Sequence, residues 1–149
     1  MATLRDRPYG QNNFLVDFGE GTDGPHAGFQ EVSGIGMEVT VAEYRAGNFK
    51  DNAVLKINTM NKSTDVTLKR GVAGSLNLYK WLDQVRNGDQ TARRAVIVTL
   101  MNEDHSAAVF TWKLAQARPI KLNVTGLNAK GTDVAVEEMV LSYERLELE

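Results

Sequence analysis

The sequence predicts a mainly β domain, in which two antiparallel sheets form a small barrel or sandwich with one α-helix against it. Three observations carry this expectation. Apolar residues recur at period 2 in most segments, the spacing of strands with one buried face. A single segment, at about 75–87, carries a helical stripe instead. The strands are short and follow one another at near-regular intervals between turn residues, which suits antiparallel sheets.

In chain order, Phe14, Val16 and Phe18 share one face of a first strand and alternate with Leu15 and Asp17. Residues 19–28, Gly-Glu-Gly-Thr-Asp-Gly-Pro-His-Ala-Gly, form a turn cluster. Ile35, Met37, Val39 and Val41 then alternate with Gly36, Glu38, Thr40 and Ala42 in a strand expected to bury one face. A polar loop over 45–52 leads to strands over 54–60 and 65–70. In the helix Leu78, Leu82 and Val85 make an i, i+4, i+7 stripe flanked by Trp81, with Ser75 as expected N-cap and Gly88 as left-handed terminator. Strands over 95–101 and 109–115 follow, joined by a hairpin connection over 101–107, with Phe110, Trp112 and Leu114 on one face. Near the C-terminus Val134 and Val136 are out of phase with Met139, Leu141 and Tyr143, so a long strand with a bulge near Glu137 and Glu138 is expected.

A chain of 149 residues fits one domain that removes about two thirds of its unfolded surface from water. With 17 basic and 19 acidic residues the net charge is −2, which gives no global attraction for nucleic acid or an anionic membrane. The absence of cysteine removes disulfides, thiolate nucleophiles and zinc–thiolate sites. The first residues lack an apolar signal core, and no run approaches the ~20 apolar residues of a membrane span. The expectation is a soluble chain made in the cytoplasm that inserts into no membrane.

The segment Asp65–Val85 has the strand, glycine turn and helix order of a phosphate-binding loop. Its spacing does not fit: Gly71 and Gly74 are separated by two residues where a P-loop needs four, and Leu76 stands where the hydroxyl would follow. Gly71, Gly74 and Ser75 are therefore read as a turn and helix cap, and Lys69 and Arg70 as a solvated or interface-facing pair. Asp104, His105 and Ser106 hold the residue types of a catalytic triad, but neighbours in a hairpin cannot form a nucleophile, base and orienter chain. His26 and His105 are far apart and propose no zinc set. Glu137 and Glu138 point to opposite faces of a strand and read as a solvated face or subunit contact. Trp81 and Trp112 read as core. No catalytic residue, cofactor or metal is expected.

The segments PYGQNNFLVDF, GFQEVSGIGMEV followed by Glu43-Tyr44-Arg45, VTLKRGV, FTWKLAQARP, LNA at 127–129 and VAVEEMVLSYERLEL together resemble the tail tube protein family. That family supplies the inner tube of contractile phage tails and of phage-derived extracellular contractile injection systems. The resemblance runs through nearly the whole chain in one order and implies a fold similar to the type VI secretion ring protein. It also implies homohexameric rings stacked head to tail into a hollow tube. The implied partners are sheath, baseplate and tube-initiator proteins, a tube-capping terminator, and effector protein or DNA as cargo in the lumen. An inter-ring arm is implied around 45–60, within a single domain over 1–149. Its stacking residues map to Arg45, Ala46, Gly47, Asn48, Phe49, Lys50, Asp51 and Asn52, with Phe49 as anchor. The sequence departs from relatives in carrying INTMNKS where many have Pro-Gly, and Arg118 where many have an aromatic before Pro119. A rival reading from another class is a monomeric lipocalin-like barrel that binds a small ligand.

Overall fold

The computed structural model describes residues 6–18, 29–72 and 76–149. Among them run β1 Phe14–Asp17, β2 Glu31–Ser33, β3 Met37–Tyr44, β4 Leu55–Ser63, β5 Val66–Gly71, α1 Asn77–Arg86, β6 Arg94–Met101, β7 Ala108–Val124, β8 Val136–Ser142 and β9 Arg145–Leu148. All their pairings are antiparallel. Two of the strands, β2 and β9, were not read from the sequence. The turn cluster at 19–28, with His26, lies outside the described residues.

Seven strands follow the order β1-β6-β7-β8-β5-β2, with β9 also on β7, while β3 and β4 pair only with each other. The 17-residue β7 is the pivot. Its first part lies between β6 and β9, and its last part pairs with β8. One strand thus belongs to two sheets: sheet A, ordered β1-β6-β7-β9, and sheet B, ordered β7-β8-β5-β2. The redirection occurs at Gln116, whose φ of 55° sits beside a register shift opposite Arg94 and Val96; a bulge with a left-handed residue bends a strand in this way. Two antiparallel sheets were expected and are present. Among the described residues the barrel is not closed, because β1 and β2, at the two ends of the path, do not pair with each other.

The inward residues of both sheets meet in one cluster: Val16, Val96, Val98 and Leu114 from sheet A, Val66, Leu68, Met139 and Leu141 from sheet B. Helix α1 packs on β7 and adds Leu78 and Trp81. Trp81, read from the sequence as a flank of the stripe, is its centre. The indole stacks on Phe18 at 6.0 Å, donates from Nε1 to the Ala92 carbonyl at 2.6 Å and lies under the Arg94 guanidinium at 4.9 Å. The helix starts at Asn77 with Leu76 in the capping position, and Gly88 takes its left-handed place at the far end with φ 85°. Gly74 and Ser75 lie outside the described residues.

Two readings need correction. No bulge occurs at Glu137 and Glu138: β8 pairs with β5 without a break from Val136 to Leu141, and the shift falls on β7 between Pro119 and Lys121. The apparent change of phase arises because Val134 lies outside the strand and because the inward position before Met139 is a carboxylate. That carboxylate, Glu137, meets Arg70, which is only 3% exposed rather than solvated. Arg70 follows Val66 and Leu68 in phase, so the pleat turns it inward. There its Nε bonds Glu137, its Nη2 donates to Asn77 Oδ1, and its guanidinium lies 5.6 Å from the Phe29 ring centre. Asn77 Oδ1 also accepts from the Leu78 amide at 2.9 Å, so the cluster ties sheet B to the start of α1. Lys69, out of phase, pairs across the strands with Glu31 at 3.2 Å on the surface.

Removing one member of a buried pair strands the other. Arg70→Ala is expected to lower stability by about 3–5 kcal/mol in urea unfolding, while Arg70→Met with Glu137→Leu recovers most of that loss. A single mutant as stable as the parent would show that Arg70 is not bound as described. At the bend, Gln116→Gly relieves a left-handed conformation worth roughly 1–2 kcal/mol, less the flexibility glycine adds. The expected result is a small gain in melting temperature, and a loss for Gln116→Val.

Candidate assembly surface

Ribbon β3–β4 leaves the body of the fold at a root held by hydrogen bonds. The Tyr143 hydroxyl donates to the Gly36 carbonyl at 2.8 Å, and Thr64 Oγ1 donates to the Gly34 carbonyl. Gly34 has φ 85°, and a Cβ there would lie 2.4 Å from the Asp65 carbonyl oxygen, so only glycine fits the crossing.

Beyond the root the ribbon is exposed on both faces. Met37, Val39 and Val41 share one face with Ser63, Asn61 and Asn58; Ala42 and Tyr44 share the other with Ile57 and Leu55. Met37 is 62% exposed and Ile57 51%, and the other large apolar residues of the ribbon are similarly bare. The sequence reading expected a buried face in this strand. Alternation is present, but no second layer lies over it.

The tip carries the arm residues. Arg45 Nη2 donates to the carbonyls of Asp51 at 3.0 Å and Phe49 at 3.4 Å, and the Phe49 amide donates to the Ala46 carbonyl at 3.1 Å, which rounds the loop. Nothing lies within 4 Å of a Cβ built on Gly47. Phe49 is half-buried, its ring edge-on to Tyr44 at 6.5 Å, and is absent from the core cluster. Asn48, Lys50 and Asn52 are exposed. The structure thus gathers Arg45, Ala46, Phe49 and Asp51 into one ordered tip. Gly71 closes β5 away from this surface.

Two further surfaces stand out. A groove runs between the ribbon root and β9, lined by Met37, Val39, Asn61, Ser63, Arg145 and Leu146. At the end of sheet B away from the root, Val72, Val124, Leu127 and Val134 are exposed, Leu127 by 82%.

The residues weighed for chemistry are bonded as turn residues. Ser106 donates from its hydroxyl to Asp104 at 2.8 Å, and this bond, followed by one from its amide, holds the Asp104 carboxyl below the usual range. His105 adopts φ 59° in the same turn. Among the described residues no three metal-ligating side chains come together, and no helix is long and apolar enough to cross a membrane. The space between the sheets, where a lipocalin-like barrel would hold its ligand, is filled by Trp81, Phe18, Leu68, Leu114 and Met139.

Comparison with solved structures extends the fold to whole chains. A chain of the sheath–tube complex of an extracellular contractile injection system, PVC, in the extended state superposes with a TM-score of 0.82 at 26% identity, covering 95% of this chain and 91% of that one. A chain of the PVC sheath/tube terminator gives 0.84 at 26%, covering 97% and 98%. Hcp1 from Flavobacterium johnsoniae gives 0.54 at 12%, covering 91% and 94%, a likeness of fold alone. A search of curated protein sequences finds no significant match. Residues 10–147 match the family described as T4-like virus tail tube protein gp19. The chain therefore belongs to the T4-like tail tube protein family.

Proposed function

We propose that the chain is the repeating, non-enzymatic subunit of the inner tube of a contractile particle, assembled in the cytoplasm as six-membered rings that stack head to tail around a lumen for effector protein or DNA. The observation that carries this reading is a ribbon with apolar side chains bare on both faces. A solitary protein has no use for such an element, because each large apolar side chain left in water forgoes roughly 1.5–3 kcal/mol of burial. Both faces are covered if the ribbon lies between copies. The exposed Val72, Val124, Leu127 and Val134 lie at the opposite end of sheet B, so each copy offers apolar surface at two ends, as a repeating head-to-tail contact requires. Two of the chains of known structure that it matches lie in sheath–tube and terminator assemblies, which favours sheath, baseplate, initiator and terminator proteins as partners.

On this reading the tip around Phe49, Tyr44 and Leu55 meets the adjacent ring. Phe49→Ala is expected to leave the thermal unfolding of the isolated subunit within a few degrees of the parent, since Phe49 stands outside the core, and to shorten or abolish tubes seen by electron microscopy. Ile57→Asp, on the face shared with Tyr44 and Leu55, is expected to act the same way. Tubes of normal length from both variants, co-expressed with sheath and baseplate, would refute the ribbon's role. A parent chain that stays monomeric at every concentration and forms no rings even in purified particles would refute the tube subunit itself.

A further inference from the structure

We propose that Met37 and Met60 form a reversible oxidation switch on the ribbon, at which hydrogen peroxide turns an unassembled chain into one that a growing tube does not accept. This rests on the reading of the ribbon as an assembly surface and adds a regulation to it. The chain has five methionines and no cysteine, so thioethers are its only sulfur. Met1 lies outside the described residues. Met139 is buried in the core, and Met101, at the end of β6, is half-buried. The two bare ones, Met37 at 62% and Met60 at 61% exposure, both lie in the ribbon.

Their places along the ribbon differ. Met37 opens β3 opposite Ser63, in line with Val39 and Val41, and borders the groove beside Leu146. Met60 lies in β4 where the register shifts opposite Thr40, midway between root and tip. A contact that covers the ribbon from its root to its middle therefore takes in both sulfurs. Neither belongs to the core cluster, so a change at them leaves the packing of the single chain alone.

The chemistry is a transfer of one oxygen. A sulfur lone pair attacks one oxygen of hydrogen peroxide, the O–O bond breaks and an S–O bond forms. The departing hydroxide takes the proton of the attacked oxygen and leaves as water. Sulfur loses two electrons and peroxide gains two, which gives methionine sulfoxide and water with nothing left over. A flexible apolar side chain has become a polar one that accepts hydrogen bonds. In a free chain water satisfies that oxygen. Between copies it gives up its water against apolar side chains, a cost those contacts do not repay. No thiol of the chain competes for the oxidant. Assembled copies cover the ribbon, so the reaction is confined to chains not yet built in, and methionine sulfoxide reductases reverse it.

The first test exposes the free full-length chain and purified particles to the same dose of hydrogen peroxide and maps sulfoxides by mass spectrometry. Met37 and Met60 are expected to be oxidised well ahead of Met139 in the free chain and to resist in particles. Oxidation of Met139 at the same rate overturns the selectivity on which the switch depends. Equal oxidation of Met37 and Met60 in both samples shows the ribbon bare in the tube and overturns its role in assembly as well. The second test is the full-length chain with Met37→Gln and Met60→Gln, which imitate the polarity of the sulfoxide, co-expressed with sheath and baseplate. Tubes are expected to shorten several-fold while the subunit melts within a few degrees of the parent. Tubes of parental length, where Phe49→Ala shortens them, overturn the switch and leave the ribbon reading standing. A much lower melting temperature assigns the two methionines to the fold and also overturns it. Finally, reductases for both sulfoxide epimers are expected to return ring formation to the oxidised parent chain; rings lost for good would make the reaction damage and not a switch.

Discussion

The constraint on which the rest of the structure depends is that one strand serves two sheets. β7 changes sheet at Gln116, so that the two sheets are continuous through one strand. Its inward side chains then reach the core from both sides, and α1 packs on it. The helix is fixed twice more, by Trp81 between Phe18 and Arg94 and by Asn77 at the buried Arg70–Glu137 pair. A buried ion pair contributes little net stability beside a well-packed apolar substitute, because desolvation offsets the attraction. Its use here is positional: directional bonds set where α1 begins relative to β5 and β8.

The ribbon obeys a different logic. Every other described strand and the helix set apolar side chains in or against the core, whereas β3 and β4 have no inside. Among the described strands they hydrogen-bond only to each other, so the backbone groups on their outer edges and most of their side chains are left to water. An isolated two-stranded ribbon is marginal in water, so this one draws its order from its root in sheet B and, on the reading proposed above, from neighbouring copies.

How much of this was legible in the sequence differs by element. The strands at 14–17, 66–71, 94–101 and 136–142 and the helix were readable because one face of each packs on the core and leaves a period in the residue types. Alternation alone could not show that the strand after Ile35 has no layer over it, since a face buried within the chain and one held for another copy have the same composition. The second half of β7 was missed because the left-handed bend at Gln116 shifts the period and Pro119 is a residue that ordinarily ends a strand. Arg70 was misread because a charged side chain beside Lys69 looks solvated; its phase with Val66 and Leu68, and the matching phase of Glu137 with Met139 and Leu141, were the available signals. The arm was placed by whole-chain resemblance, and Phe49 stood out only as a large apolar residue among glycine, asparagine and charge.

The root of the ribbon has a consequence of its own. Gly34, Thr64 and the Tyr143 hydroxyl fix its direction against β5 and the end of β8, so the ribbon points correctly only when sheet B is formed. Ordering is then completed during folding of the single chain, and little of it remains to oppose association. A chain with β8 undocked would project its ribbon at the wrong angle and fail to fit the growing end. The assembly would thus proofread its own parts, admitting folded subunits and rejecting the rest without any separate chaperone to tell them apart.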